Sequence, residues 1–258
     1  MFSKCNLITR RVSILVKAEG FSSMKVYVIN LDKDISRMAY VDAQLRRLCI
    51  AYERIPGVYA KNMTEVERCK AVNRFRWWCA VGRKVVPAEI GCALSHYGIY
   101  KRMSSDNVVC ILEDDIKIDD AFAERLQEVE SFIDKTKPQV VMLSSHNCKR
   151  EGRGIIRSKT AVCTDAYVIT QLAAKALLGA NLPMQVPCDH WWRWERMGLI
   201  ELYHALPTVA SQNQEIFGTS TQANADDVSK YPPLKWCLHK AKRLVGKTID
   251  LIMMRFES

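Results

Sequence analysis

The chain has 258 residues, 48% of them hydrophobic, enough to bury a sizeable core and to exclude a disordered polymer. Its formal charge of +10 sits at the two ends, with five basic residues and one acid over 1–25 and seven and two over 230–258, against 26 and 25 between them, which excludes a broad nucleic-acid groove. The ten cysteines are scattered without a C-x-x-C pair, so neither a zinc site nor a disulfide scaffold is expected and a reducing compartment, most simply a cytoplasm, is indicated.

Residues 1–23 read as a poorly ordered N-terminal extension, because the apolar patch Val12–Val16 is too short for a secretory signal. Lys25–Asn30 reads as the first strand. From Asp34 to Leu48, apolar Ile35, Met38, Val41, Leu45 and Leu48 recur at three- and four-residue steps and predict a helix, followed by a short strand over 51–55. Strand, helix, strand opens an α/β domain. Residues 63–80 read as one charged helix and 87–103 as another. Val108–Leu112 is a β-branched apolar run of the kind that crosses a parallel sheet, and it leads straight into Glu113-Asp114-Asp115. Open α/β sheets bind ligands beyond the carboxyl ends of such strands. With extended backbone through the cluster, Glu113 and Asp115 point one way and Asp114 the other, so two hard oxygen ligands converge as Mn²⁺ or Mg²⁺ requires. The same acids read equally well as the end of a strand in water or the cap of the next helix.

A helix over 120–136 stops at Pro138, and a strand over 140–143 follows. The polar stretch 144–159 reads as a mobile active-site loop, 161–170 as a strand, and 171–179 as a helix. Prolines 183, 187 and 207 break the remainder into loops. No uncharged window of about 18 residues predicts a membrane-spanning helix.

Five motifs now stand in order: Val28-Ile29-Asn30-Leu31-Asp32 with Arg37, Glu89-Ile90-Gly91-Cys92-Ala93-Leu94-Ser95-His96, Ile111-Leu112-Glu113-Asp114-Asp115, Ala166-Tyr167-Val168-Ile169, and Pro187-Cys188-Asp189. Over about residues 24–215 this resembles glycosyltransferase family 25, the lipooligosaccharide galactosyltransferase type that also includes collagen galactosyltransferases. The resemblance implies a GT-A fold, a Rossmann-like mixed sheet flanked by helices, in a catalytic domain over 24–229. It further implies a UDP-sugar donor, usually UDP-galactose, a divalent metal (Mn²⁺ or Mg²⁺) at Glu113 and Asp115, and inversion at the anomeric carbon.

The residues themselves are compatible with that expectation. Asn30, Leu31 and Asp32 end the first strand, where backbone and carboxylate are placed to receive a nucleoside, although Asp32 reads equally as a turn residue. Arg37 suits a diphosphate by its bidentate fork, or stands exposed in a first helical turn. Glu89 and His96, two turns apart on one helix face with Ser95 adjacent, join the donor-binding set with Asp114, while a lone helical histidine also reads as a structural hydrogen-bonding residue. Asp189 is the candidate general base for the acceptor hydroxyl. Trp191 and Trp192 offer flat faces to acceptor sugar rings, or belong to the core. His204 is a weaker candidate for the metal.

Residues 230–258 read as a basic amphipathic helix: Leu234, Leu238, Ala241, Val245, Ile249, Ile252 and Phe256 form one stripe, and Lys235, Lys240, Lys242, Arg243 and Lys247 lie largely off it. Such a helix fits an anionic membrane surface, where a glycolipid acceptor resides, or docks its stripe on the body. The combined expectation is a lipopolysaccharide or lipooligosaccharide hexosyltransferase peripheral on the inner face of a bacterial cytoplasmic membrane, with no nucleic-acid partner; the alternatives are a non-catalytic sugar-nucleotide or glycan-binding protein of the same fold, or a nucleotidyltransferase using the same metal site.

Overall fold

The computed structural model describes residues 23–103, 108–144 and 152–217. Along the chain run β1 (Lys25–Asn30), α1 (Ile35–Arg47), β2 (Glu53–Pro56), α2 (Glu65–Ala71), α3 (Arg74–Val81), α4 (Pro87–Arg102), β3 (Val108–Glu113), β4 (Ile116–Ile118), α5 (Phe122–Phe132) and β5 (Gln139–Met142). They are followed by β6 (Gly154–Arg157), β7 (Ala166–Thr170), α6 (Gln171–Asn181), α7 (Trp191–Arg196), β8 (Glu201–Leu206), β9 (Ala210–Gln212) and α8 (Gln214–Phe217).

The inner strands are apolar at successive positions, so both faces of their sheet demand cover. Seven strands form one mixed sheet in the order β2-β1-β3-β7-β5-β8-β6, and β4 pairs with β9 in a separate two-stranded ribbon. β1 runs parallel to β2 and β3, β7 lies antiparallel between β3 and β5, and β8 is parallel to β5. The two-residue alternation of strands sorts the core into two layers. Tyr27, Ile29, Val109, Ile111, Tyr167 and Ile169 face α4, α6 and α7, whereas Val26, Val28, Cys110, Leu112 and Val168 face α1, α5 and the β4–β9 ribbon. The expected mixed sheet flanked by helices is therefore what forms.

The single helix expected over 63–80 is two helices. Val72 is extended (φ −132°), the Asn73 N–H donates to Met184 O and the Met184 N–H donates to Ala71 O, so a strand-like bridge to a distant segment interrupts the helical ladder. Asn73 then caps α3 by accepting from the Arg76 N–H, and Gly82, in the left-handed region at φ 80°, ends it. In the expected loop 144–159, Gly154–Arg157 forms the edge strand β6 against β8; residues 145–151 lie outside the described residues. The proline-broken remainder also holds regular structure: α7, β8, β9 and α8. Residues 1–22 of the N-terminal extension and the basic stripe of 230–258 lie outside the described residues.

Candidate active site

Because β1 and β3 are parallel neighbours, their carboxyl ends open on the same edge, and the acids of β3 come to lie beside the turn after β1. A cleft of about 320 Å³ opens there, floored by Ile29, Glu113, Asp114 and Asp115 and walled by α1 (Arg37), the Gly57–Lys61 strap and α4 (Gly91, Cys92, Ser95, His96). Its volume falls at the lower end of small-ligand sites.

β3 stops at Glu113, and Asp114-Asp115 form a turn, so the two-residue alternation expected through the cluster does not apply. Each acid has its own surroundings. Glu113 turns to α4: its Oε1 accepts from Thr164 Oγ1 at 2.5 Å and contacts His96 Nε2 at 3.2 Å. Burial would raise Glu113, but the imidazole and the Thr164 hydroxyl hold it below the ordinary glutamate range. Asp114 Oδ2 accepts from Asn30 Nδ2 at 2.6 Å, and its Oδ1 lies 3.4 Å from Arg37 Nη1. Asp115 Oδ2 receives the same Arg37 nitrogen at 3.4 Å and Gln212 Nε2 at 3.2 Å. Its other oxygen, Oδ1, is buried with no hydrogen-bond partner among the described residues. Burial first, then the charge of Glu113, push Asp115 up to about 6. A buried carboxylate oxygen without a donor, in a floor of three acids met by one guanidinium, has the oxygen-rich chemistry of a hard divalent cation site.

His96 is held at both nitrogens, with Nδ1 2.8 Å from Tyr167 Oη, which in turn lies 2.7 Å from Tyr100 Oη. Burial opposes its charge, yet the neighbouring Cys92 thiol and Glu113 raise it to about 9. Ser95 Oγ donates to Gly91 O and accepts from the Val58 N–H, so it ties the Gly57–Lys61 strap to α4. Gly91 is required there: a Cβ at that position would stand 2.4 Å from Val58 O.

The structure thus brings Leu31, Arg37, Ser95, His96, Glu113, Asp114 and Asp115 to the cleft. Asn30 lies beneath it, buried and bonded to Asp114 and Arg54. Asp32 points outward to Arg54 at 2.6 Å. Glu89 turns away to cap α4 through the Val86 N–H at 3.0 Å and to pair with Arg83. Asp189 is half-buried in the turn before α7, outside the cleft lining but close enough to help raise the Cys163 thiol. Trp191 corrects an expectation: it is fully buried against Tyr167, with Nε1 donating to Cys163 O at 2.6 Å, and has no face to offer a sugar. Trp192 is partly exposed, with the Arg196 guanidinium 5.5 Å over its ring. His204 is buried in mid-β8 opposite Met142 and Ile156, away from the cleft. Cys92, Thr164 and Gln212 contribute to the site without having been singled out by sequence; Cys92 alone carried a signal, four residues before His96 on one helix face.

The model of glycosyltransferase family 25, described as an LPS biosynthesis protein, matches residues 23–192. The chain belongs to glycosyltransferase family 25. Among curated relatives, procollagen galactosyltransferase 1-A of Xenopus laevis is 28% identical over 184 residues, 65% of this chain and 30% of that protein. The procollagen lysyl hydroxylase and glycosyltransferase of Acanthamoeba polyphaga mimivirus is 25% identical over 191 residues, 65% of this chain and 21% of that protein. This family 25 chain therefore spans less than a third of the length of those relatives. A solved structure, a glycosyltransferase involved in the glycosylation of the major capsid of PBCV-1, aligns at a TM-score of 0.39 and 11% identity over 80% of this chain and 97% of that one, too distant to bear on activity. Among the described residues no helix is long and apolar enough to cross a membrane.

Proposed function

We propose that this family 25 chain is a GT-A type, inverting hexosyltransferase that moves galactose from UDP-galactose to a lipooligosaccharide or lipopolysaccharide glycan. The observation that carries the proposal is the carboxylate floor of the cleft, with its unpartnered Asp115 oxygen beside Arg37. Asp115 and Glu113 would hold Mn²⁺ or Mg²⁺, which when bound neutralises charge on a diphosphate leaving group. Asp114 is fixed by Asn30 and keeps Arg37 in place beside the cleft, where the guanidinium presents a bidentate fork to phosphate oxygens. Ser95 and Gly91 hold the Val58–Lys61 wall at a fixed distance from α4, which orients the donor and excludes water from it.

Asp189 takes the proton of the acceptor hydroxyl as that oxygen attacks the anomeric carbon, and Trp192 gives the acceptor ring an apolar face. The basic stripe of 230–258 brings the enzyme to the anionic inner face of the bacterial cytoplasmic membrane, a reading that rests on sequence alone. UDP release from a panel of UDP-sugars, with and without Mn²⁺, tests donor and metal together. Presenting both a lipooligosaccharide core and a procollagen peptide separates the two acceptor classes that the family description and the relatives' names raise. Turnover only with the peptide, or none with any donor, would overturn the reading.

Asp189→Asn is expected to lower transfer on the order of 10²- to 10⁴-fold while calorimetry finds UDP-galactose affinity nearly intact. Equal loss of both would move Asp189 into the donor site.

A further inference from the structure

On the α4 wall of the cleft, Cys92 and His96 lie on one helix face, a turn apart, and β3 ends with Glu113 against them. One ligand atom from each of these three residues lies within 4.8 Å of the other two. A second thiol adjoins: Cys188, in the turn before α7, places its Sγ 3.7 Å from Cys92 Sγ, outside the group of three whose ligand atoms all lie within 4.8 Å of one another. A tetrahedral centre with Zn–S bonds of about 2.3 Å and Zn–N or Zn–O bonds of about 2.0 Å has edges of about 3.8 Å between sulfurs and about 3.3 Å between nitrogen and oxygen. Two of the six edges have these lengths, 3.7 Å for Cys92–Cys188 and 3.2 Å for His96–Glu113, and Cys188 turns toward His96 and Glu113 to complete the tetrahedron. The outer contacts are also those of a metal site: His96 Nδ1 is held by Tyr167 Oη at 2.8 Å, and Thr164 Oγ1 donates to the ligating Glu113 oxygen at 2.5 Å.

We infer that Cys92, His96 and Glu113, with Cys188 turning in as a fourth ligand, form a binding site for a thiophilic divalent cation, zinc by chemistry, distinct from the hard-cation position in its thiolates and sharing Glu113 with it. Two thiolates and an imidazole select zinc over magnesium or manganese, whereas the cleft floor offers only oxygen. Binding releases the thiol protons and leaves the sulfurs as ligands. It joins three elements remote in sequence, α4, the end of β3 and the Cys188-Asp189 turn, and so fixes Asp189 relative to the carboxylate floor. The site stands whether or not the chain transfers a sugar, since its ligands and its test make no use of that activity.

The test uses the full-length chain, purified under reductant, stripped with chelator and titrated with Co²⁺ as an optical probe. The expected result is thiolate-to-cobalt charge-transfer absorption and strong tetrahedral visible bands, saturating at one equivalent and bleached by Zn²⁺. Cys92→Ser and Cys188→Ser each weaken the charge-transfer band, the double variant abolishes it, and Asp115→Asn leaves it in place. A weak, octahedral cobalt spectrum in the wild-type protein overturns the inference, as does a band undiminished in either single variant or lost in Asp115→Asn. If the double variant fails to fold, the wild-type spectrum and the single variants still decide.

Discussion

Adding one methyl group to α4 at two different glycines gives opposite results. At Gly98 a Cβ meets nothing within 4 Å, so Gly98→Ala removes backbone freedom from the unfolded chain and stabilises the protein by about 0.5–1 kcal/mol. At Gly91 the same methyl lands 2.4 Å from the Val58 carbonyl oxygen, a backbone atom that cannot rotate away. Relief requires α4 and the strap to part by roughly 1 Å, a strain of about 1–3 kcal/mol in a packed interior. Set against the helix gain, Gly91→Ala should destabilise by up to about 2.5 kcal/mol and lie some 1–3 kcal/mol below Gly98→Ala. Parting also strains the Val58–Ser95–Gly91 bonds of 2.8 and 2.7 Å and moves the wall formed by Val58, Tyr59, Ala60 and Lys61. Donor affinity therefore falls in Gly91→Ala and holds in Gly98→Ala. Urea unfolding of both variants, with UDP-galactose calorimetry beside it, reads the difference. Equal midpoints and equal affinities would show that the strap is not pressed against α4, and the geometry of the cleft wall would have to be redrawn.

Asp115→Asn should cost turnover by orders of magnitude, yet stabilise the metal-stripped protein above pH 6. Its carboxyl is raised from 3.8 to about 6 in the fold, so the unfolded chain releases the proton first and native stability falls as pH climbs through that window. That penalty, an upper bound of roughly 3 kcal/mol at 1.36 kcal/mol per tenfold, is absent for asparagine. Thermal melts at pH 4 and pH 8 measure it, and a variant less stable than wild type at pH 8 without metal would make Asp115 a structural partner of Arg37 instead. From the sequence of 230–258, the protein should sediment with anionic and not with neutral vesicles, less so in high salt, and truncation after Ser229 should abolish this while soluble acceptors are still glycosylated. A truncated chain that is insoluble would assign the apolar stripe to the core.

Elements with a strong local pattern were legible before the fold. β1 has the bounds that its apolar run indicates, and α4 differs by one residue from the helix read between Pro87 and Met103. What escaped was decided at long range. β8, Glu-Leu-Tyr-His-Ala-Leu, mixes polar and apolar residues and is a strand because β5 and β6 flank it. β6 is four residues in a polar stretch, and α7 is six residues after a proline turn, both too short to show a period. The cleft was legible as a neighbourhood, since acids that end a buried strand fall on the ligand-binding edge. Its internal division was not: Glu113 belongs to α4 and Thr164, Asp115 to Arg37 and Gln212, and those partners lie 17 to 97 residues away. Nor could sequence separate Trp191 from Trp192, which are adjacent and alike but differ in which side of α7 meets the sheet.

The place of β7 in the sheet has a bearing on how the chain emerges from a ribosome. β7 is the wedge between β3 and β5, but both of those strands precede it in the chain. Until residues 166–170 are made, β3 and β5 each present an unpaired edge, and both are apolar but for Glu113 at the end of β3 and Gln139 at the start of β5. At about 5–20 residues per second, the stretch from the end of β3 to the start of β7 takes roughly 3–10 s to synthesise. During those seconds the nascent chain offers two open strands to any neighbour, an interval in which a holding chaperone governs yield more than the stability of the finished fold does.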